Sequence, residues 1–133
     1  MEELKLLASD DTLADVQKVM EKQLDDNHCP EPVKMALLIA AEEIFINIAH
    51  YAYDGKPGEA IVQMETTQHL FRAVFKDHGM PYNPLAKKDP DITLSAEERE
   101  IGGLGIFMVK ETMDRVYYEF QNGWNIFTME KDF

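Results

Sequence analysis

Apolar positions along the chain follow two periods, and the switches between them mark the elements. Leu4, Leu6 and Ala8 alternate loosely with their neighbours, which reads as a short strand over residues 2–8. The cluster Ser9-Asp10-Asp11-Thr12 supplies N-cap residues for a helix that carries Leu13, Val16, Met20 and Leu24 at helical spacing and stops near Asn27. Pro30-Glu31-Pro32 opens a second helix, because proline is tolerated in the first turn, and the apolar pattern carries it to about Ala52. A turn-rich stretch at 54–58 ends it. Two strands follow, 60–66 and 70–76, joined by a short polar link as a hairpin. From Asp77 to Gly105 the periodicity disappears, with three prolines and four glycines in its place, and so long an irregular stretch points to function. A helix at 106–113 and strands at 115–121 and 124–130 complete the chain, the strands flanking the hairpin-turn dipeptide Asn122-Gly123.

Hairpins in series predict a mainly antiparallel sheet, and the helices need one face of it to bury their apolar stripes. The expected class is α+β, a two-layer α/β sandwich with the helices on one face. At 133 residues the chain suffices for one domain, expected over 1–133. With 45% hydrophobic and 29% charged residues it reads as globular, and no apolar run approaches the ~18–20 residues of a membrane span. The first residues lack the basic and apolar regions of a secretory signal, so a cytoplasmic location is expected. The single cysteine, Cys29, agrees with a reducing compartment, and His28-Cys29 has no second ligand pair at metal-binding spacing. The net charge of −12 argues against direct nucleic-acid binding, which needs basic stripes. A polyphosphate ligand would have to be held by a metal ion or by backbone amides.

Three segments carry candidate chemistry. The fifteen residues from Met35 to Ala49 contain three polar interruptions, Glu42, Glu43 and Asn47, and a buried carboxylate without partners costs on the order of a few kcal/mol. Glu43 and Asn47 lie four apart, so their side chains neighbour each other on one helix edge. That edge either faces solvent or offers oxygens to a hard cation such as magnesium. Glu42, about 100° round the helix, reads as surface. Asp77-His78-Gly79-Met80-Pro81 follows an apolar strand. It is either an ordinary Asp/Gly turn or a carboxylate placed for an exocyclic amine, beside a glycine that admits a flat ring. Gly102-Gly103-Leu104-Gly105 precedes an apolar helix, as a hinge or as an amide cradle for an anion. It is neither a Walker A loop nor a dinucleotide fingerprint.

Taken in order, these segments resemble the motif set of the GHKL (histidine kinase-like) ATPases, and within them the anti-sigma-factor serine/threonine kinases of the RsbW and SpoIIAB kind. Glu43-Ile-Phe-Ile-Asn47 with Ala52-Tyr53 resembles the N box, and Asp77-His-Gly79-Met-Pro81 through Pro84 the G1 box. Glu100-Ile-Gly102-Gly103-Leu104-Gly105-Ile106, with Met113-Asp114, resembles the G2 box, and Asn122-Gly123 through Asn125-Ile-Phe-Thr128 the last hairpin.

The resemblance implies a Bergerat-type ATP-binding fold with ATP and Mg²⁺ as ligands. It implies Glu43 as general base, Asn47 as Mg²⁺ ligand, Asp77 as acceptor for the adenine amine, and Gly79 as the space for the base. It further implies Gly102, Gly103, Leu104 and Gly105 as the phosphate-binding turn, Thr128 as a polar contact near adenine, and an ATP lid at about 83–101. The activity implied is phosphorylation of a STAS-domain anti-anti-sigma protein, with a sigma factor as second partner, and a homodimer is compatible with it. A non-catalytic ATP-sensing module is the alternative. Three positions depart from the pattern: Tyr51 where the family often has His, Asn83 where Asp is frequent, and Ile101 where some members carry Arg. A receptor histidine kinase is not expected, since 133 residues leave no room for a dimerisation helix pair.

Overall fold

A computed structural model of the chain describes residues 1–86 and 103–133. In chain order the elements are β1 (Glu2–Leu7), α1 (Leu13–Asp26), α2 (Glu31–Asn47), β2 (Glu59–Thr66), β3 (Leu70–Asp77), α3 (Gly103–Thr112), β4 (Arg115–Gln121) and β5 (Trp124–Asp132). The strands form one sheet in the order β1-β2-β3-β5-β4, and every neighbouring pair is antiparallel. The α+β class with an antiparallel sheet is therefore as the hydrophobic pattern implies. Only β5 has moved out of chain order, inserted between β3 and β4.

The core lies between the sheet and the helices. Along β3, Phe71, Ala73 and Phe75 point inward on the period of two, meeting Val62 and Met64 of β2 and Phe127 and Met129 of β5. The helices answer with Val16, Met20 and Leu24 of α1, Leu37, Ala41 and Phe45 of α2, and Ile106 and Val109 of α3. Helix α2 packs against both α1 and α3, which explains why its sequence is apolar on so many sides. Truncating Phe45, Phe71 or Phe75, each almost completely buried, costs about 3–5 kcal/mol for a change to Ala.

Boundaries differ from the expected ones in instructive ways. Helix α1 stops because His28 takes a left-handed conformation (φ 57°) and Cys29 N–H reaches back to the Leu24 carbonyl at 2.9 Å, so His28-Cys29 serves as a helix stop. The expected run of α2 to Ala52 is helical throughout, but residues Ile48–Ala52 form a wider π turn. Helix α3 begins three residues earlier than expected, at Gly103, so Gly103 and Gly105 lie in its first turn instead of preceding it. Asn122 (φ 53°) and Gly123 (φ 83°) make the tight turn between β4 and β5.

Candidate functional site

Strand β3 carries its inward alternation one step beyond the apolar residues, and that step is Asp77. Only 5% of it is exposed. Its Oδ1 accepts hydrogen bonds from Gly79 N–H at 2.8 Å and from Asn125 Nδ2 at 2.9 Å. Burial pushes the carboxyl above its ordinary range, and these two hydrogen bonds oppose the rise. Among the described residues no hydrogen bond falls on Oδ2, and no fully buried polar side-chain atom lacks a partner. Oδ2 is thus the oxygen left to the cavity that Asp77 lines.

That cavity measures about 440 Å³ and lies between the end of α2, the start of α3 and the inner face of the sheet. Ile44, Ile48, Phe75, Ile106 and Phe127 make its apolar wall, while Asn47, Asp77, Tyr118 and Asn125 supply polar groups. A mostly apolar hollow of this size with a few convergent polar atoms suits a planar heterocycle.

The turn after Asp77 is fastened to the π turn of residues Ile48–Ala52. Met80 N–H donates to the Ala52 carbonyl at 3.2 Å. A Cβ placed on Gly79 would fall 2.2 Å from that same oxygen, so only glycine allows the two backbones this approach. Tyr53 adds a second fastening: its hydroxyl accepts from His78 N–H at 2.8 Å and donates to the Glu59 carbonyl. A π turn near a ligand cavity is a recurrent way to redirect a helix end, and here it brings Tyr51 and Ala52 onto the cavity wall.

Glu43 and Asn47 stand one turn apart on α2, with Asn47 Nδ2 lying 3.4 Å from Glu43 Oε1. Both are partly exposed, whereas Glu42 faces solvent, as its place on the helix predicts. The first turn of α3 packs on Glu43: a Cβ on Gly105 would come within 2.0 Å of its carboxyl carbon. The acidic side chain and the glycine turn, more than sixty positions apart in sequence, are therefore in contact. Because the Asn47 amide nitrogen is turned to Glu43, its Oδ1 remains as a donor atom for a cation. Among the described residues no cluster of three acidic, His or Cys side chains could hold a metal ion alone. One amide oxygen beside a ligand's own oxygens is a donor set that suits Mg²⁺.

The structure thus brings Asn47 and Asp77 to one cavity, with Gly79 in the turn that follows Asp77, and sets Glu43 against Gly105 in the first turn of α3, the turn to which Gly103 and Leu104 belong. Gly102 and most of the expected lid (87–101) lie outside the described residues. Residues 84–86 form a short 3₁₀ turn capped by Asn83. Thr128 needs correction. It alternates out of phase with Asn125 and Phe127 along β5, so it faces the other side of the sheet, beside Arg72 and Tyr117. The β5 residue that meets Asp77 is Asn125, its direct partner in the β3–β5 register and 6% exposed. Its signal in the sequence was a polar residue at an inward position of an otherwise apolar alternation.

Comparison with known proteins agrees with this geometry. The sequence model of the histidine kinase-like ATPase domain matches residues 6–131. The serine/threonine-protein kinase BtrW of Bordetella bronchiseptica is 24% identical over 98 residues, which span 73% of this chain and 69% of BtrW. Among the described residues no helix is long and apolar enough to cross a membrane.

Proposed function

The chain belongs to the histidine kinase-like ATPase family, and from that premise we propose that it is a Mg²⁺-ATP-dependent protein serine/threonine kinase. Its substrate in this reading is a STAS-type anti-anti-sigma protein, and its output is control of a sigma factor through the phosphorylation state of that partner. The likeness to a protein named as a serine/threonine kinase supports the reaction class. The observation that carries the reading is the juxtaposition of Glu43, Asn47 and the Gly105 turn at the margin of the Asp77 cavity.

Asp77 Oδ2 accepts a hydrogen bond from the exocyclic amine of adenine, and Gly79 lets the turn after β3 close against the Ala52 backbone beside it. Asn47 Oδ1 holds Mg²⁺, which neutralises phosphate charge when bound. The first amides of α3, at Gly103 to Gly105, have no intrahelical partners and point toward an anion. An acidic protein can then bind a polyanion without a lysine cluster. As the partner's hydroxyl oxygen bonds to the γ-phosphorus, the bond from that phosphorus to the bridging oxygen breaks and ADP leaves. Glu43 accepts the hydroxyl proton.

The test is transfer of γ-labelled phosphate from ATP to the cognate STAS protein with Mg²⁺. Wild type is expected to label a serine or threonine of the partner. Glu43→Gln should bind ATP as wild type does and lose about 10²-fold or more in transfer rate. Unchanged transfer by that variant would remove Glu43 from its role. Wild type that binds ATP yet transfers nothing would make the chain a nucleotide-sensing module.

A further inference from the structure

We infer that Asn125 is the positioning residue of the base pocket, aiming Asp77 so that one carboxylate oxygen meets the exocyclic amine and thereby setting the preference for adenine. The inference rests on the reading of the cavity as an adenine-nucleotide site. Its basis is a network that leaves the Asn125 amide no spare capacity. Nδ2 donates to Asp77 Oδ1 at 2.9 Å and to the Met80 carbonyl at 2.9 Å, with the Gly79 carbonyl 3.3 Å away. Oδ1 accepts from Tyr82 N–H at 3.1 Å and from the Tyr118 hydroxyl. The partners determine which way the amide faces, since carbonyls can only accept and an N–H can only donate.

Two consequences follow for the cavity. Asn125 itself has no hydrogen-bonding group left for a ligand, so it acts through Asp77. Asp77 Oδ1 in turn is occupied by Asn125 and Gly79, which leaves Oδ2 as its acceptor toward the cavity. A carboxylate oxygen there attracts a 6-amino group and repels a 6-oxo group, so discrimination depends on the rotation of a single side chain. Gly79 N–H holds that carboxylate from its own turn, and Asn125 holds it from the neighbouring strand. The same amide also bonds to the backbone of Gly79, Met80 and Tyr82, so the turn after β3 is held to β5 at the point where Asp77 is aimed.

The experiment compares dissociation constants for ATP and for purine riboside triphosphate, which lacks the exocyclic amine, on wild type and Asn125→Ala. Wild type should prefer ATP by about tenfold or more, the scale of one hydrogen bond to a charged acceptor. Asn125→Ala should lose most of that preference, with ATP weakened and the analogue held within about twofold, since the lost bond is one the analogue never makes. Equal weakening of both nucleotides would reduce Asn125 to a structural role and overturn the inference, as would an unchanged preference. Should Asn125→Ala fail to fold by circular dichroism, Tyr118→Phe removes one donor from Asn125 Oδ1. It should narrow the preference by a smaller factor, and an unchanged preference would again overturn the inference. A wild type that binds neither nucleotide, or both alike, would overturn the adenine-site reading beneath it, a result distinct from an Asn125 failure.

Discussion

At the scale of a single residue, Asp77 shows how a binding site trades against stability. It occupies a register position whose predecessors are Phe71, Ala73 and Phe75, so the fold removes a carboxylate from water. Burial raises its pKa above the ordinary 3.8, meaning that the folded chain holds this proton more tightly than the unfolded chain does. Its contribution to stability is complete below about pH 3.8 and is lost as pH rises through the raised folded value. Asp77→Asn keeps an acceptor for Gly79 and Asn125 but has no charge to desolvate. Its melting temperature at pH 7 should equal or exceed that of wild type, the margin shrinking as pH falls, while ATP binding is lost. Melting curves across pH, with nucleotide titration, test both halves. Retained Mg²⁺-ATP binding would contradict the assignment of the adenine contact.

Between elements, two glycines with different duties separate site geometry from folding. Gly79 lets the turn after β3 lie against the π turn of residues Ile48–Ala52, where an added Cβ would meet the Ala52 carbonyl oxygen at 2.2 Å and its Cβ at 2.6 Å. A backbone oxygen cannot rotate away as a side chain can. Gly79→Ala should therefore cost about 1–3 kcal/mol in urea unfolding and weaken ATP binding together. Gly123 sits at φ 83° with open space around its Cβ position, so its need is conformational alone. Gly123→Ala should cost about 1–2 kcal/mol and leave ATP affinity within about twofold of wild type. A nucleotide defect in the second variant, or none in the first, would refute the division.

Across the whole molecule, 25 acidic residues oppose 13 basic ones. Local pairs soften this in places: Arg115 bridges Glu130 and Asp132, and Lys34 bridges Asp25 and Glu31. Surface pairs of this kind contribute little, so self-repulsion dominates. Raising monovalent salt from about 0.01 to 0.15 M shortens the screening length from about 30 to 8 Å. The melting temperature should rise over that interval, and scanning fluorimetry would detect a fall if attractive pairs outweighed the net charge.

By itself the sequence determined whatever depends on near neighbours. Among the described residues, period-two and helical patterns located each major element, and Asn122-Gly123 specified its turn because both residues tolerate positive φ. The order of Glu43, Asn47, Asp77 and the glycine turn identified the family before any contact was visible. Tertiary structure alone decided which strands lie side by side. Strand β5 pairs with β3 although β4 stands between them in the chain, and this pairing sets Asn125 against Asp77. The same register turns Thr128 to the far face, because a one-residue change of phase reverses the direction of a side chain. It was also packing between α2 and α3 that laid Gly105 on Glu43. Alternation along one strand is written in consecutive residues. Register between distant strands follows from how the whole core closes, and the polar centre of the cavity depends on that closure.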